Sequence, residues 1–150
     1  MKNNSRVIIL ILLLAGSAII AFSNEITGDE ERCDFSKWNP IRISHFIERI
    51  AIHGVIPEYP DEAFNQRLEG IIYVKILVGQ DGNIKRACAF EDGPLGAAAE
   101  KAALEWKFKE NWGPPSWKDD YAQAVLKFEF FITPEGEKAI RTFLPQNKNK

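Results

Sequence analysis

The side chains from which chemistry could be built are few. The chain has two cysteines, Cys33 and Cys88, and two histidines, His45 and His53. Catalysis asks for a nucleophile beside a base, a paired acid and base, or a bound metal, and a metal asks for three or four converging ligands. The histidines lie upstream of the strand-patterned region, outside any H-E-x-x-H, and flank an apolar stripe as solvent-facing polar residues would. Cys88 stands between Ala87 and Ala89, and the cysteines form no C-x-x-C. Glu91-Asp92 and Asp119-Asp120 are adjacent loop carboxylates with no reason to converge. Gly79, Gly82, Gly93 and Gly96 read as turn residues and make no phosphate cradle. The expectation is a non-enzymatic chain with no metal and no cofactor.

The cysteines instead suggest a disulfide. Both follow the N-terminal apolar run, and an even count in an oxidising compartment favours a bridge. The loop closed by Cys33–Cys88 would stabilise the fold by roughly 4 kcal/mol on the chain-entropy view. The alternative is two independent thiols, with Cys88 packed as a small hydrophobe.

Compartment follows from the first 23 residues. Lys2 and Arg6 precede an uncharged stretch, Val7 to Phe22, and Ala21-Phe22-Ser23 sets small residues where a signal peptidase cuts. The run is shorter than the ~20 residues of a comfortable membrane span. Residues 1–23 are therefore expected to be a secretory signal, with an inner-membrane anchor over residues 7–22 as the alternative. Without Lys2 and Arg6, 17 Lys+Arg face 21 Asp+Glu, net −4. That balance argues against nucleic acid or an anionic membrane as partner.

The elements that must position any site follow from periodicity. Residues 24–55 open with an acidic, polar tether. Ile43, Phe46, Ile47, Ile50 and Ala51 then recur at helical spacing up to Gly54, which predicts an amphipathic helix. Pro57 and Pro60 hold Tyr59 extended, Asp61 suits the cap of a short helix, and "GIIYVKILVG" alternates as a strand. Asp81-Gly82 supplies a tight turn into a second strand, "NIKRACAFE". "PLGAAAEKAALEWKF" reads as a helix burying Leu95, Ala98, Ala99, Ala102, Ala103 and Trp106. "AVLKFEFFI" is the last strand, with Leu126, Phe128, Phe130 and Ile132 on one face and Val125, Lys127, Glu129 and Phe131 on the other. The predicted fold is α+β: a two-layer sandwich, a three-stranded sheet with two helices on one face, preceded by the amphipathic helix. It occupies residues 56–133, followed by a C-terminal tail, 134–150, whose end, "PQNKNK", is expected to be disordered.

The run from Pro57 to Ile132, about half the chain, resembles the C-terminal domain of the TonB family. The resemblance is carried by "PEYPDEA", "EGIIYVKILV", the "DGNI" turn, "GPLGAAAEKAALEWKF" and a phenylalanine-rich final strand. It implies two helices on a three-stranded sheet with the last strand at an edge, and binding of a short segment of outer-membrane transporters. It also implies that energy from the proton gradient is passed on through an inner-membrane motor. This chain differs from that pattern in two ways. No histidine lies in residues 7–22, and only residues 24–56 separate that run from the domain, where the family has a long proline-rich tether.

The expected function is accordingly an exported, periplasmic binding module of the cell envelope, taking an extended peptide of a transporter by strand addition in TonB-type transmembrane transport. The candidate edge is Val125 to Ile132, with Val125, Lys127, Glu129 and Phe131 on the side-chain face offered to a peptide. The resemblance adds Tyr59 and Pro60, because the family's "YP" segment lies near the docked peptide, although a tyrosine between prolines could equally staple the first helix. Glu58 and Gln66 are candidates by proximity. Trp112, Trp117 and Tyr121 could line the groove or cap the open end of the core. Two alternatives stay open: an anchored short energy transducer coupled to a motor complex, and a structural module forming a homodimer through its last strand.

Overall fold

The computed structural model describes residues 32–43, 47–117 and 120–142. In chain order the elements are β1 (Ile41–Arg42), α1 (Ile47–Ile50), β2 (Ala51–His53), α2 (Asp61–Asn65), β3 (Gly70–Val78) and β4 (Ile84–Ala89). They continue with α3 (Pro94–Leu104), β5 (Lys107–Phe108), β6 (Ala122–Ile132) and β7 (Lys138–Arg141). The class is α+β with a mixed sheet. The three long strands expected from alternation, β3, β4 and β6, form its antiparallel centre, with β3 in the middle.

Three sequence expectations need correction. The main sheet has five strands, not three, because β1 pairs in parallel with the start of β6 and β7 pairs antiparallel with its end. The C-terminal segment from residue 134 therefore contributes a strand, while "PQNKNK" lies outside the described residues. Among the described residues the predicted amphipathic helix is the four residues of α1, and Ala51–His53, expected to continue it, is a strand. Its apolar positions Ile43, Ile47, Ile50 and Ala51 are buried as expected, and Phe46 and His45 lie outside the described residues. β-branched isoleucines favour extended backbone, and β2 continues directly from α1 to pair with β5. The domain boundary at residue 56 thus leaves out Phe35, Ile43 and Ile47, all at most 4% exposed.

Alternation builds the core. Ile72, Val74, Ile76 and Val78 from β3 join Ala124, Leu126, Phe128 and Phe130 from β6 under α3. α3 can lie close because its buried side is nearly all alanine, and Gly96, buried in the helix rather than in a turn, has room for no Cβ: one would stand 2.0 Å from the Glu91 carbonyl oxygen. Trp106 follows the helix into the core, its indole N–H donating to the Val55 carbonyl at 2.9 Å. The expected hairpin has Gly82 at φ 70°, and a Cβ there would meet the Phe108 carbonyl oxygen at 2.1 Å. The turn therefore requires glycine on both conformational and packing grounds.

The other face of the sheet is only partly covered. Cys33 and Cys88 are joined as a disulfide, with Cα atoms 5.4 Å apart. The bridge lays Phe35 over Leu77, with Trp38 and Tyr121 around them. Lys75 crosses this patch, its Nζ donating to the Cys33 carbonyl at 2.8 Å and lying 5.1 Å from the Phe35 ring centre. Beyond it Ile71, Tyr73, Phe90 and Val125 are exposed.

Candidate functional site

The site follows from the pairing of β6. Its inner edge is fully occupied by β3, in unbroken register from Val78↔Ala122 to Gly70↔Phe130. On its outer edge β1 covers Ala122 and Gln123, where the Ile43 N–H donates to the Gln123 carbonyl at 3.0 Å. β7 covers Glu129 to Ile132. Among the described residues no strand pairs with the outer side of Ala124–Phe128.

Backbone polarity in that interval is fixed by alternation. Gln123 points its carbonyl outward to Ile43, so Val125 and Lys127 point outward as well. The Lys127 carbonyl accepts from the Thr142 hydroxyl at 2.8 Å. Unpaired among the described residues and facing outward are then both backbone groups of Val125 and the N–H of Lys127, over about 7 Å of strand. Among the described residues the interval is a short stretch of unpaired strand edge, bounded at both ends.

The structure brings four of the six candidate residues together. Val125, Lys127, Glu129 and Phe131 share the sheet face away from α3, but they differ in availability. Glu129 binds Arg141 at 3.0 Å, and the same guanidinium lies 5.0 Å from the Phe131 ring centre. Those two residues therefore serve the β6–β7 pairing. Val125, 37% exposed, and Lys127 flank the open interval, with Tyr73, 41% exposed, across from Lys127 on β3. This corrects the extent of the expected edge: Glu129 to Ile132 are covered by β7, and among the described residues no strand pairs with Val125 to Phe128 on that side.

Tyr59 and Pro60 are on the helix side. Tyr59 is 5% exposed and donates its hydroxyl to the Leu68 carbonyl, with its ring edge-on to Phe130 and Phe64 at 5.4 and 6.1 Å. That is the staple geometry, and burial raises the phenol above its usual pKa, as does Glu69, while Lys138 opposes them. Pro60 lies at the mouth of a groove of about 570 Å³ between the Val55–Pro60 segment and α3, with Glu58, Lys101 and Glu105 on its rim. Gln66 is exposed and bonds Glu62 at 3.4 Å. Trp112 and Trp117 cap the end of the core, Trp112 donating to the Gly79 carbonyl at 2.9 Å and Gln80 to the Trp117 carbonyl at 2.7 Å.

Sequence reasoning missed β7 and Thr142, which decide how much of the edge is open. Their signal was the Pro134–Gly136 turn, with Gly136 at φ 85°, directly after a strand. Lys138 fastens the new strand, donating to the Asp61 carboxylate and to the Tyr59 carbonyl at 3.3 Å. That contact holds Asp61 below its ordinary pKa.

Among the described residues, no three His, Cys, Asp or Glu side chains are grouped to hold a metal ion, every buried side-chain N or O atom has a hydrogen-bond partner, and no helix is long and apolar enough to cross a membrane. Comparison with protein-family models, curated proteins and solved structures gives no match for this chain.

Proposed function

We propose that this chain is a non-catalytic, TonB C-terminal-like module of the periplasm that takes up an extended peptide, such as a segment of an outer-membrane transporter, as an added strand. The observation that carries the proposal is the open interval Ala124–Phe128 on the outer edge of β6, where Val125 and Lys127 turn their backbone groups away from β3. The peptide would gain about three backbone hydrogen bonds, each worth roughly 1 kcal/mol net. Backbone pairing alone therefore gives weak binding, and selectivity falls to side chains beside Val125, Lys127 and Tyr73. The α+β class supports this reading, although the sheet has five strands and β6 is flanked at both ends of its outer edge, where the resemblance implied three strands with the last at an edge.

The test is calorimetric titration of the chain, and of its Lys127→Glu variant, with synthetic peptides from the periplasmic N-terminal segments of outer-membrane transporters. Reversing a rim charge beside the added strand should change affinity several-fold and reverse the preference between acidic and basic peptides. Equal affinity of both proteins for every peptide would refute this edge as the binding site.

A further inference from the structure

The net charge of −4 after residue 23 is an average over two unlike sides. On the sheet face away from α3, strand pairing sets the side chains in rows. Arg42, Gln123, Leu77 and Arg86 make the first row, and Val125, Lys75 and Cys88 the second. Lys127 and Tyr73 follow, with Phe90 beside them, its N–H donating to the Tyr73 carbonyl at 3.0 Å. Arg141, Glu129 and Ile71 make the last. Trp38 packs against Leu77 over the first row, with the Lys37 ammonium 4.1 Å and the Arg86 guanidinium 5.3 Å from its ring centre.

The cations on this side are Lys37, Arg42, Lys75, Arg86, Lys127 and Arg141. The acids are Asp34, which accepts from the Ser36 N–H and hydroxyl, and Glu129, which is bound to Arg141. Glu91, at the rim, accepts from the Tyr73 N–H at 3.3 Å. Among the described residues Lys37, Arg42, Arg86 and Lys127 are exposed and belong to no ion pair. The whole-chain balance argued against an anionic membrane, but the separation of charge between the sides reverses that locally.

The shape of the patch narrows the partner. The cations span four strands across, about 14 Å, and six residues along β6, about 20 Å. A single docked helix, about 10 Å wide, does not reach them all. Beside them Ile71, Tyr73, Phe90 and Val125 are 37–53% exposed, for which a purely aqueous polyanion has no counterpart. A second copy of the chain would bring like charges together. A lipid interface offers both a broad anionic layer and apolar groups beneath it.

We propose that this sheet face docks on an anionic lipid surface, with Lys37, Arg42, Arg86 and Lys127 against the phosphates and Tyr73 and Phe90 at the level of the headgroups. The inference stands apart from strand addition, which uses the backbone edge of β6 at the side of this face.

The experiment is co-sedimentation of the full chain with vesicles of phosphatidylcholine alone, and of phosphatidylcholine with about a third phosphatidylglycerol. The quantity read is the ratio of the two affinities, which cancels what residues 7–22 contribute to both. Arg86→Glu and Lys101→Glu change the net charge equally, the first on this face and the second on α3 over the opposite one. At about fivefold per cation near the surface, Arg86→Glu should lower the ratio about thirtyfold and Lys101→Glu less than about threefold. Arg42→Glu, at the other end of the first row, should repeat the effect of Arg86→Glu. Phe90→Ser should weaken binding to the anionic vesicles about tenfold. Urea midpoints close to that of the unaltered chain show that the variants are folded. A ratio near one for the unaltered chain, an equal fall in the Arg86 and Lys101 variants, or no effect of Arg42→Glu or of Phe90→Ser overturns the proposal. Binding of poly-glutamate as tight as that of the anionic vesicles, and lost in Arg86→Glu, gives the face to an acidic polypeptide and overturns it too.

Discussion

Breaking the disulfide is the perturbation whose size the structure sets most directly. Cys33 and Cys88 are 55 residues apart. Closing a loop of that length removes about 14 cal/mol/K from the unfolded chain, or about 4 kcal/mol at 25 °C. The native side should not repay this loss, because Phe35 and Leu77 are fully buried against each other and against the bridge. A domain of this size has about 5–15 kcal/mol in total, so reduction removes a large fraction of its stability. The matching fall in Tm is on the order of 20 °C. The assay is urea unfolding followed by tryptophan fluorescence, with Trp106 reporting from the core, on the oxidised protein, the reduced protein and the double variant Cys33→Ser, Cys88→Ala. Alanine is used at position 88 because a serine hydroxyl there would be buried. Reduced protein and double variant should agree within about 1 kcal/mol and show a larger m-value, since an uncrosslinked chain exposes more surface. A loss below about 1 kcal/mol, in protein whose intact mass shows the two missing hydrogens, would refute the loop-entropy reasoning.

Two further predictions test the supports of the site. Tyr59→Phe keeps the ring contacts but leaves the Leu68 carbonyl without its donor, and should cost about 1–1.5 kcal/mol in urea unfolding; a neutral result would remove the staple role. Asp81 is held at about 2, from 3.8, first by its hydrogen bond from Lys85 and then by Asn83. Its contribution is therefore complete above the unfolded value near 4 and is lost as pH falls towards 2. Both side chains are about half exposed, so the effect is only about a few tenths of a kcal/mol. The difference in urea midpoint between the wild type and Asp81→Asn should close over that interval, and a constant difference from pH 5 to 2 would count against it.

How legible each element was depends on whether its signal is local. β3 and β6 declare themselves by alternation that the packing honours at Ile72, Val74, Ile76, Leu126, Phe128 and Phe130. The Asp81-Gly82 turn needs only a positive φ. Ile41–Arg42 carries no such signal: two residues after a proline become a strand only because the start of β6, some 80 residues later, lies beside them. The end of α1 was misplaced for a similar reason, since helical spacing from Ile47 through Ile50 to Ala51 also fits a chain that leaves the helix after Ile50 as β2 to pair with β5. For the candidate site, the side-chain face of β6 was readable, while the extent of its free edge was not. That extent is set by β1 and β7, and only β7 is announced by a turn.

The sheet also has an order of assembly written into it. β3, β1 and β7 all pair with β6, which comes late in the chain. Until Ala122–Ile132 has been made, β3 has only β4 beside it, and neither β1 nor the core-facing row of β3 has its partner. A growing chain that stops short of Ala122 therefore cannot close its core. The residues of the disulfide, by contrast, are both present once Cys88 exists. An oxidising environment could join them before the sheet is complete, so the covalent link can precede the fold that it secures. The contacts between β3 and β6 span 44 to 60 residues, and pairing at such separations makes for slow closure.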